Sequence, residues 1–369
     1  MRIAVDAREL CGRPTGVGRY LAEIARVWRT LPAAAGHEIV WCGNEALEQP
    51  LLDRQGWRVA VRAGGSLYWE QIAFPGLARA AGADVLFAPA YSGPVTGSTP
   101  LVVSIHDVSF AAHPEWFRLR EGLRRRVLTR AAARRAAAVL TLTEFSRREI
   151  HDHLGVPLDR IRVAAPGPSG LPVQASGVPR QETVLTVGSI FNRRHVPELI
   201  RGFARMAVRH PAARLAIVGD NRTYPHVDID AVRQASGVAD RITLHAYVTD
   251  DVLARLYAEA RAFAYLSSYE GFGIPPLDAL VHGVPPVLLD TEVAHEVFGD
   301  AALYVARPDP NLVAGTLERA LYNEPARAAV LAAAPEVVGR YTWTTCATTV
   351  LTALEQAAAG QRHSEQNHS

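Results

Sequence analysis

Short apolar runs alternate with stretches of helical periodicity along the whole chain. Runs at 2–7, 38–42, 58–62, 85–89, 101–105, 138–142 and 161–164 read as strands, and a second set follows at 184–187, 214–218, 242–245, 262–266, 284–289 and 301–305. Apolar strands alternating with helices are the pattern of parallel sheets covered on both faces. Between the two sets lies Pro166-Gly167-Pro168-Ser169-Gly170-Leu171-Pro172, continuing through Ser176, Gly177 and Pro179. It has no periodicity and is dense in proline and glycine, so it reads as an interdomain linker. The expected fold is α/β, with doubly wound domains over residues 1–170 and 171–342. Two such domains leave a cleft at their join, a preferred place for a ligand. The alternation has no repeat of solenoid length, and the polar residues 360–369 read as a frayed tail.

The pattern is sharpest from Ala262 to Asp290. Ala262-Phe263-Ala264-Tyr265-Leu266 is a buried strand, Ser267 to Gly273 a glycine-bearing loop, and Pro275-Pro276 sits where the first turn of a helix tolerates proline. Glu270 then stands at the carboxyl end of a parallel strand, where open α/β sheets bind ligands, and Asp278 in the first turn of the helix. Gly271 and Gly273 let backbone N–H groups approach an anion. Taken singly, Asp278 is also what a helix dipole favours and Gly271-Phe272-Gly273 is also an ordinary turn. Their combination at one strand end favours a site.

Other strand ends carry candidate chemistry. Gly16-Val17-Gly18 reads as part of the loop after the first strand, opening a helix, but Leu21 stands where the dinucleotide fingerprint has its third glycine. His106-Asp107 ends a strand at the same sheet edge, either as a hydrogen-bonded structural pair or as cleft residues. Thr186-Val187-Gly188 leads into Arg193-Arg194-His195, and two guanidiniums after a strand and a glycine suit a diphosphate. Residues 118–135 read as a helix with Leu119, Leu123, Val127 and Leu128 on one face and arginines crowding the others. That helix is either simply solvated or drawn to anionic lipid. Asp228-Ile229-Asp230 reads as a solvated turn or helix start, not a metal site, because no strand precedes it.

Charge and composition change this picture little. Hydrophobic residues make up 49% of the 369 and charged residues 21%, as in a globular protein. A formal net charge of +2 gives no reason to expect nucleic acid as a partner. All 39 basic residues are arginine, so arginine abundance is itself an explanation for each cluster above. Cys11, Cys42 and Cys346 lack metal or disulfide spacing, the first residues enter a strand at once, and no run is long enough for a membrane span. A cytoplasmic protein is the expectation.

These motifs resemble the retaining glycosyltransferases of the GT-B type, specifically the large glycosyltransferase family 4, or group 1. The resemblance rests on Gly16-Val17-Gly18-Arg19-Tyr20, Trp69-Glu70-Gln71, Ile105-His106-Asp107, Thr143-Glu144-Phe145-Ser146-Arg147-Arg148-Glu149-Ile150, Arg193-Arg194-His195, Val218-Gly219-Asp220 and the run from Glu270 to Leu277. It looks most like bacterial members that build surface polysaccharides, often mannosyl- or rhamnosyltransferases.

The resemblance implies two Rossmann-like domains facing across a cleft, with a C-terminal helix at about 343–359 packing back on the first. It implies that Glu270 bonds hydroxyls of a donor sugar and that the amides of Phe272, Gly273 and Ile274, with Gly188 nearby, approach sugar and diphosphate. Arg193 and Arg194 then face the diphosphate, His106 the transferred sugar and the acceptor, and the Gly16 to Gly18 loop borders the diphosphate and the acceptor. Asp278 stands where the family has a ribose-binding glutamate, Arg193-Arg194 replaces an Arg-x-Lys pair, and His195 replaces an asparagine.

The implied reaction moves a hexose from a nucleotide diphosphate sugar to a glycan, lipid-linked or small-molecule acceptor. It requires no cofactor or metal and takes place in the cytoplasm or against the inner membrane surface. A nucleotide-sugar epimerase or phosphorylase on the same fold, and a non-catalytic relative that only binds the nucleotide sugar, are the alternatives.

Overall fold

The computed structural model describes residues 1–12, 16–47, 52–173 and 179–366. The chain divides into two compact units, one of residues 1–166 with 342–369 and the other of residues 167–341.

The sheet of the first unit holds β1 (Arg2–Asp6), β2 (Glu38–Gly43), β3 (Trp57–Val61), β4 (Val85–Ala88), β5 (Leu101–Ser104), β6 (Ala138–Thr141) and β7 (Ile161–Val163). All pairings are parallel, and the order is β3-β2-β1-β4-β5-β6-β7. β4, β5 and β6 are buried at every position, because helices cover both faces and no alternation of polar residues is needed. The order reverses between β1 and β4, so the loops after those strands diverge and leave a crevice at their carboxyl ends. Trp28, Trp41, Trp69, Phe74 and Phe87 lie fully buried around this sheet, each contributing on the order of 2–3 kcal/mol of apolar burial. The Trp343–Gln366 helix closes on this unit, where Trp28 Nε1 donates to Ala347 O at 3.0 Å. Helical backbone continues to Gln366 through the stretch expected to fray, while 367–369 lie outside the described residues.

The second sheet holds β8 (Thr183–Val187), β9 (Arg214–Val218), β10 (Ile242–His245), β11 (Ala262–Tyr265), β12 (Pro286–Leu289) and β13 (Leu303–Val305). It too is parallel, in the order β10-β9-β8-β11-β12-β13. Here the order reverses between β8 and β11. The loops that leave these two strands carry Arg193-Arg194 and Glu270.

Three expectations need correction. Gly16 and Gly18 are not in a loop but are the first and third residues of the Gly16–Thr30 helix, and Arg13 to Thr15 lie outside the described residues. Asp278 is the fifth residue of the Ile274–Val281 helix, past its first turn, because left-handed Gly273 starts the helix at Ile274 and places both prolines inside that turn. In the Leu119–Arg135 helix the leucine face points outward: Leu119, Leu123 and Val127 are 80%, 53% and 58% exposed. Thr129, Ala132 and Ala133 are buried instead, small side chains that let the helix lie close to the sheet. Asp228 is a helix start as expected, its side chain accepting from Ala231 N as the N-cap of the Ile229–Gln234 helix.

Candidate active site

In the second unit the loops after β8 and β11 are knitted together at the crevice. Ser268 donates to Arg193 O through its amide at 2.9 Å and through its hydroxyl at 3.2 Å. Arg193 Nε donates back to Tyr269 O at 3.1 Å, and its guanidinium stacks over the Phe191 ring at 4.4 Å. Arg194 Nε donates to Glu270 Oε1 at 2.9 Å while its Nη1 donates to Ser189 O at 2.8 Å. The Tyr265 hydroxyl at 3.0 Å and the Ser267 hydroxyl at 2.9 Å donate to the same carboxylate oxygen. Three donors therefore fix Glu270, and carbonyls and ring faces fix both arginines, before any ligand arrives.

The electrostatics follow from this packing. Burial acts against the charge on Glu270, but the guanidiniums of Arg194 and Arg193 more than offset it and hold the carboxyl at about 2. Glu270 is thus an anion at every ordinary pH. Its Oε1 takes all three of these hydrogen bonds, and Oε2 is the oxygen left as an acceptor for a ligand hydroxyl. Both terminal nitrogens of Arg193 remain for an anion, whereas Arg194 is largely committed to Glu270 and Ser189.

Two glycines are dictated by this geometry. Gly188 has φ +122°, and a Cβ there would meet Arg194 Nη1 at 2.5 Å, so no side chain fits beside the guanidinium. Gly273 has φ +118° and turns the chain into the Ile274–Val281 helix, whose first three residues carry a single N–H, that of Ile274, because Pro275 and Pro276 have none. His195 has φ +48°, left-handed backbone in which His and Asn are both enriched.

Asp278 is buried, and its Oδ1 accepts from the amide of Ser169 at 2.7 Å. The carboxylate thus ties the start of the second unit to the Ile274–Val281 helix, a bond that nothing in its sequence neighbourhood indicates. A small pocket behind Glu270 is lined by Phe272, Pro276, Leu288, Ala294 and Phe298.

In the first unit, β5 delivers His106 and Asp107 to the sheet edge. His106 is buried, with its Nε2 3.1 Å from Pro89 O and its ring packed edge-on against Tyr20 at 4.7 Å. Burial lowers its pKa to about 4 against the opposing pull of Asp107 and the Pro89 carbonyl. The ring is therefore neutral above that pH, Nε2 carries the proton it donates to Pro89, and Nδ1 is the bare nitrogen. Asp107 accepts from the Tyr91 hydroxyl at 2.9 Å and from Ser109 N at 2.8 Å. Gly16 is exposed at the start of its helix and Gly18 is buried.

Sequence reasoning singled out Glu270, Arg193, Arg194 and His106 but missed Tyr265, Ser267 and Phe191, which hold the first three. Tyr265 carried one signal, a hydroxyl at the last position of an otherwise apolar strand. Among the described residues no group of three or more His, Cys, Asp or Glu side chains is arranged to hold a metal ion, and no helix is long and apolar enough to cross a membrane.

Comparison with known proteins agrees with this architecture. The family model for glycosyl transferases group 1 matches residues 174–337, and that for Glycosyltransferase Family 4 matches residues 14–168. The chain is 26% identical over 265 residues to the O-antigen chain mannosyltransferase B of Escherichia coli, covering 69% of this chain and 70% of that protein. It is 26% identical over 275 residues to the alpha-D-kanosaminyltransferase of Streptomyces kanamyceticus, covering 68% and 70%. The solved structure of Anabaena HepE in complex with UDP-glucose superposes with a TM-score of 0.77 at 19% identity, covering 96% of this chain and 100% of that one. With one family model on each of its two sheet-bearing units, the chain belongs to the group 1, family 4 glycosyltransferases and has their GT-B fold.

Proposed function

We propose that this glycosyltransferase moves a hexose, mannose or a deoxyhexose such as rhamnose, from a nucleoside diphosphate sugar to an acceptor hydroxyl in glycan assembly, with retention at the anomeric carbon. The observation that supports it most is the Glu270 carboxylate, an acceptor locked by Arg194, Tyr265 and Ser267 after β11, with the Arg193 guanidinium of the loop after β8 3.9 Å from it. An anionic acceptor reads sugar hydroxyls, and a fixed guanidinium beside it matches a diphosphate. The mannosyltransferase named among the relatives favours mannose, and the UDP-glucose held by HepE favours a nucleoside diphosphate sugar as donor.

In the proposed reaction the acceptor oxygen forms a bond to the anomeric carbon as the bond from that carbon to the diphosphate oxygen breaks. The electron pair leaves with the diphosphate, which also takes the acceptor proton on the same face of the sugar. Arg193, with Arg194 behind it, stabilises the charge that grows on the leaving group. Phe272, Gly273 and Ile274 offer backbone amides to the same group. His106 accepts from a sugar hydroxyl through Nδ1, and Asp278 contacts the ribose once the Ser169 amide yields its place. No cofactor enters these steps.

A thermal-shift panel of GDP-, UDP-, dTDP- and ADP-sugars tests the donor class. A ligand that binds only the folded protein raises its melting point, by an amount set by concentration over Kd. One nucleotide sugar, GDP-mannose first, is expected to raise it well above the others; no shift with any of them rejects the proposal.

The outward face of the Leu119–Arg135 helix supports a further partner, the anionic inner surface of a membrane. Exposed Leu119, Leu123 and Val127 stand among Arg120, Arg124, Arg126 and Arg130, apolar and cationic groups on one surface helix. Co-sedimentation with vesicles of mixed zwitterionic and anionic lipid is expected to fall sharply in Arg120→Glu/Arg124→Glu; equal sedimentation with purely zwitterionic vesicles contradicts it.

A further inference from the structure

The first unit contains a second cluster of charged groups at the crevice between β1 and β4. Asp6, the last residue of β1, is buried and accepts from Arg8 Nε at 3.1 Å and from Trp69 Nε1 at 2.9 Å. Arg8 also donates to Glu70 Oε1 at 3.1 Å, and the other oxygen of Glu70 accepts from the Ser92 hydroxyl at 3.0 Å. Every oxygen of Glu70 is thus engaged inside the protein, so the cluster holds something in place instead of presenting a charge. What it holds is the segment after β4. Gln71 adds to the clamp, donating to Gly93 O at 3.1 Å and accepting from Val95 N at 2.9 Å.

The residue inside that clamp is Tyr91, whose φ is +64°. A bulky side chain is seldom found in left-handed backbone, and such an outlier persists only where its surroundings enforce it. Tyr91 N donates to Ser104 O at 2.9 Å, which anchors the strained residue to the end of β5. From there the Tyr91 hydroxyl donates to Asp107 Oδ2 at 2.9 Å, and its ring lies 5.7 Å from that of His106. Two residues before it, Pro89 supplies the carbonyl bonded to His106 Nε2.

We infer that Tyr91 is a positioning residue for His106 and Asp107. The Asp6–Arg8–Glu70–Ser92 chain holds its backbone left-handed, and in that conformation one side chain fixes the ring of His106 and the carboxylate of Asp107 together. A glycine at position 91 would accept the backbone without strain but could fix neither group. The presence of tyrosine where glycine is the relaxed choice is what points to a role. The inference rests on the reading of His106 as a contact for a sugar hydroxyl.

The test compares Tyr91→Gly, Tyr91→Phe and His106→Ala in the full chain, by steady-state kinetics with the best donor, by melting temperature and by nitrogen NMR of the histidine rings. The His106 resonances are assigned by their absence in His106→Ala. Tyr91→Gly, which also gives up the ring's packing against Phe110 and melts lower for that reason, is expected, at temperatures where it is fully folded, to lose roughly 10²-fold in kcat, the scale of an ångström misplacement, with donor KM unchanged. Its His106 ring is expected to pass from a single Nε2-protonated form to a mixture. Tyr91→Phe, which keeps the ring and loses the bond to Asp107, is expected to fall between the two. A Tyr91→Gly protein with parental kcat, with activity that merely follows its melting, or with an unchanged His106 resonance overturns the inference. Parental activity in His106→Ala instead rejects the reading of His106. The ring resonances are recorded without donor, so they decide the positioning whichever donor the enzyme takes.

Discussion

Arg193→Ala is expected to lower turnover by roughly 10²–10³-fold, the usual cost of removing one fixed donor from a developing anion, while leaving the melting temperature close to that of the parent. The separation follows from what Arg193 does in the resting protein. Its Nε satisfies Tyr269 O, and once it is gone the Ser267 hydroxyl, 3.2 Å from that carbonyl, can turn its one proton from Glu270 to it. Its guanidinium lies over Phe191 with the side chain 13% exposed, a contact worth about 1–2 kcal/mol, which lowers the melting temperature by only a few degrees in a chain of this size. Nothing buried is left charged and alone when it is removed. Steady-state kinetics and a melting curve on one preparation check both halves. Arg194→Ala is less informative, because it strips Glu270 of its main partner and mixes stability with chemistry.

Glu270→Ala is expected to cost stability as well as activity. The Arg194 and Glu270 side chains are only 15% and 16% exposed, and removing one partner of a buried ion pair costs about 3–5 kcal/mol because the other charge stays behind. The pH dependence has a definite sign. Glu270 in the folded protein titrates at about 2, below the usual carboxylate value of about 4.3 in an unfolded chain. The native state therefore binds fewer protons at this site, and the stabilisation is complete above about pH 4.3 and is lost as pH falls toward 2. Glu270→Gln, which keeps the shape and accepts from Tyr265 and Ser267, should flatten the acid limb of melting temperature against pH. A parental acid limb in that variant would show that the carboxylate does not carry the effect.

Much of this protein is legible in its sequence, for physical reasons that differ from element to element. Among the described residues all thirteen strands of the two sheets form close to their expected places, since a central strand covered on both faces must be apolar throughout, and the largely exposed edge strands β3 and β10 still keep apolar residues at alternate positions. The Glu270 loop was legible for a related reason: a carboxylate just past an apolar strand has no local use, and left-handed Gly273 with two prolines marks where the helix begins. What the sequence hides are choices settled by packing. Helical periodicity finds the apolar stripe at Leu119, Leu123 and Val127, but the alanines and Thr129 that permit close approach decide which side faces the sheet. Asp278 is caught by Ser169, 109 residues away, a bond no spacing rule contains. Tyr91 shows no sign of its left-handed backbone, because the clamp that enforces it comes from Glu70, Gln71 and Ser104, remote in the chain.

In the proposed reaction labour is divided across one loop pair: Glu270 reads the sugar and Arg193 reads the diphosphate. Calorimetric titration of the parent, Glu270→Ala and Arg193→Ala with the preferred nucleoside diphosphate sugar and with its free nucleoside diphosphate measures that division directly. The account predicts that Arg193→Ala weakens both ligands alike, while Glu270→Ala weakens the sugar-bearing donor and leaves the free diphosphate bound nearly as in the parent. Equal weakening of both ligands by Glu270→Ala, in protein that remains folded, would contradict it.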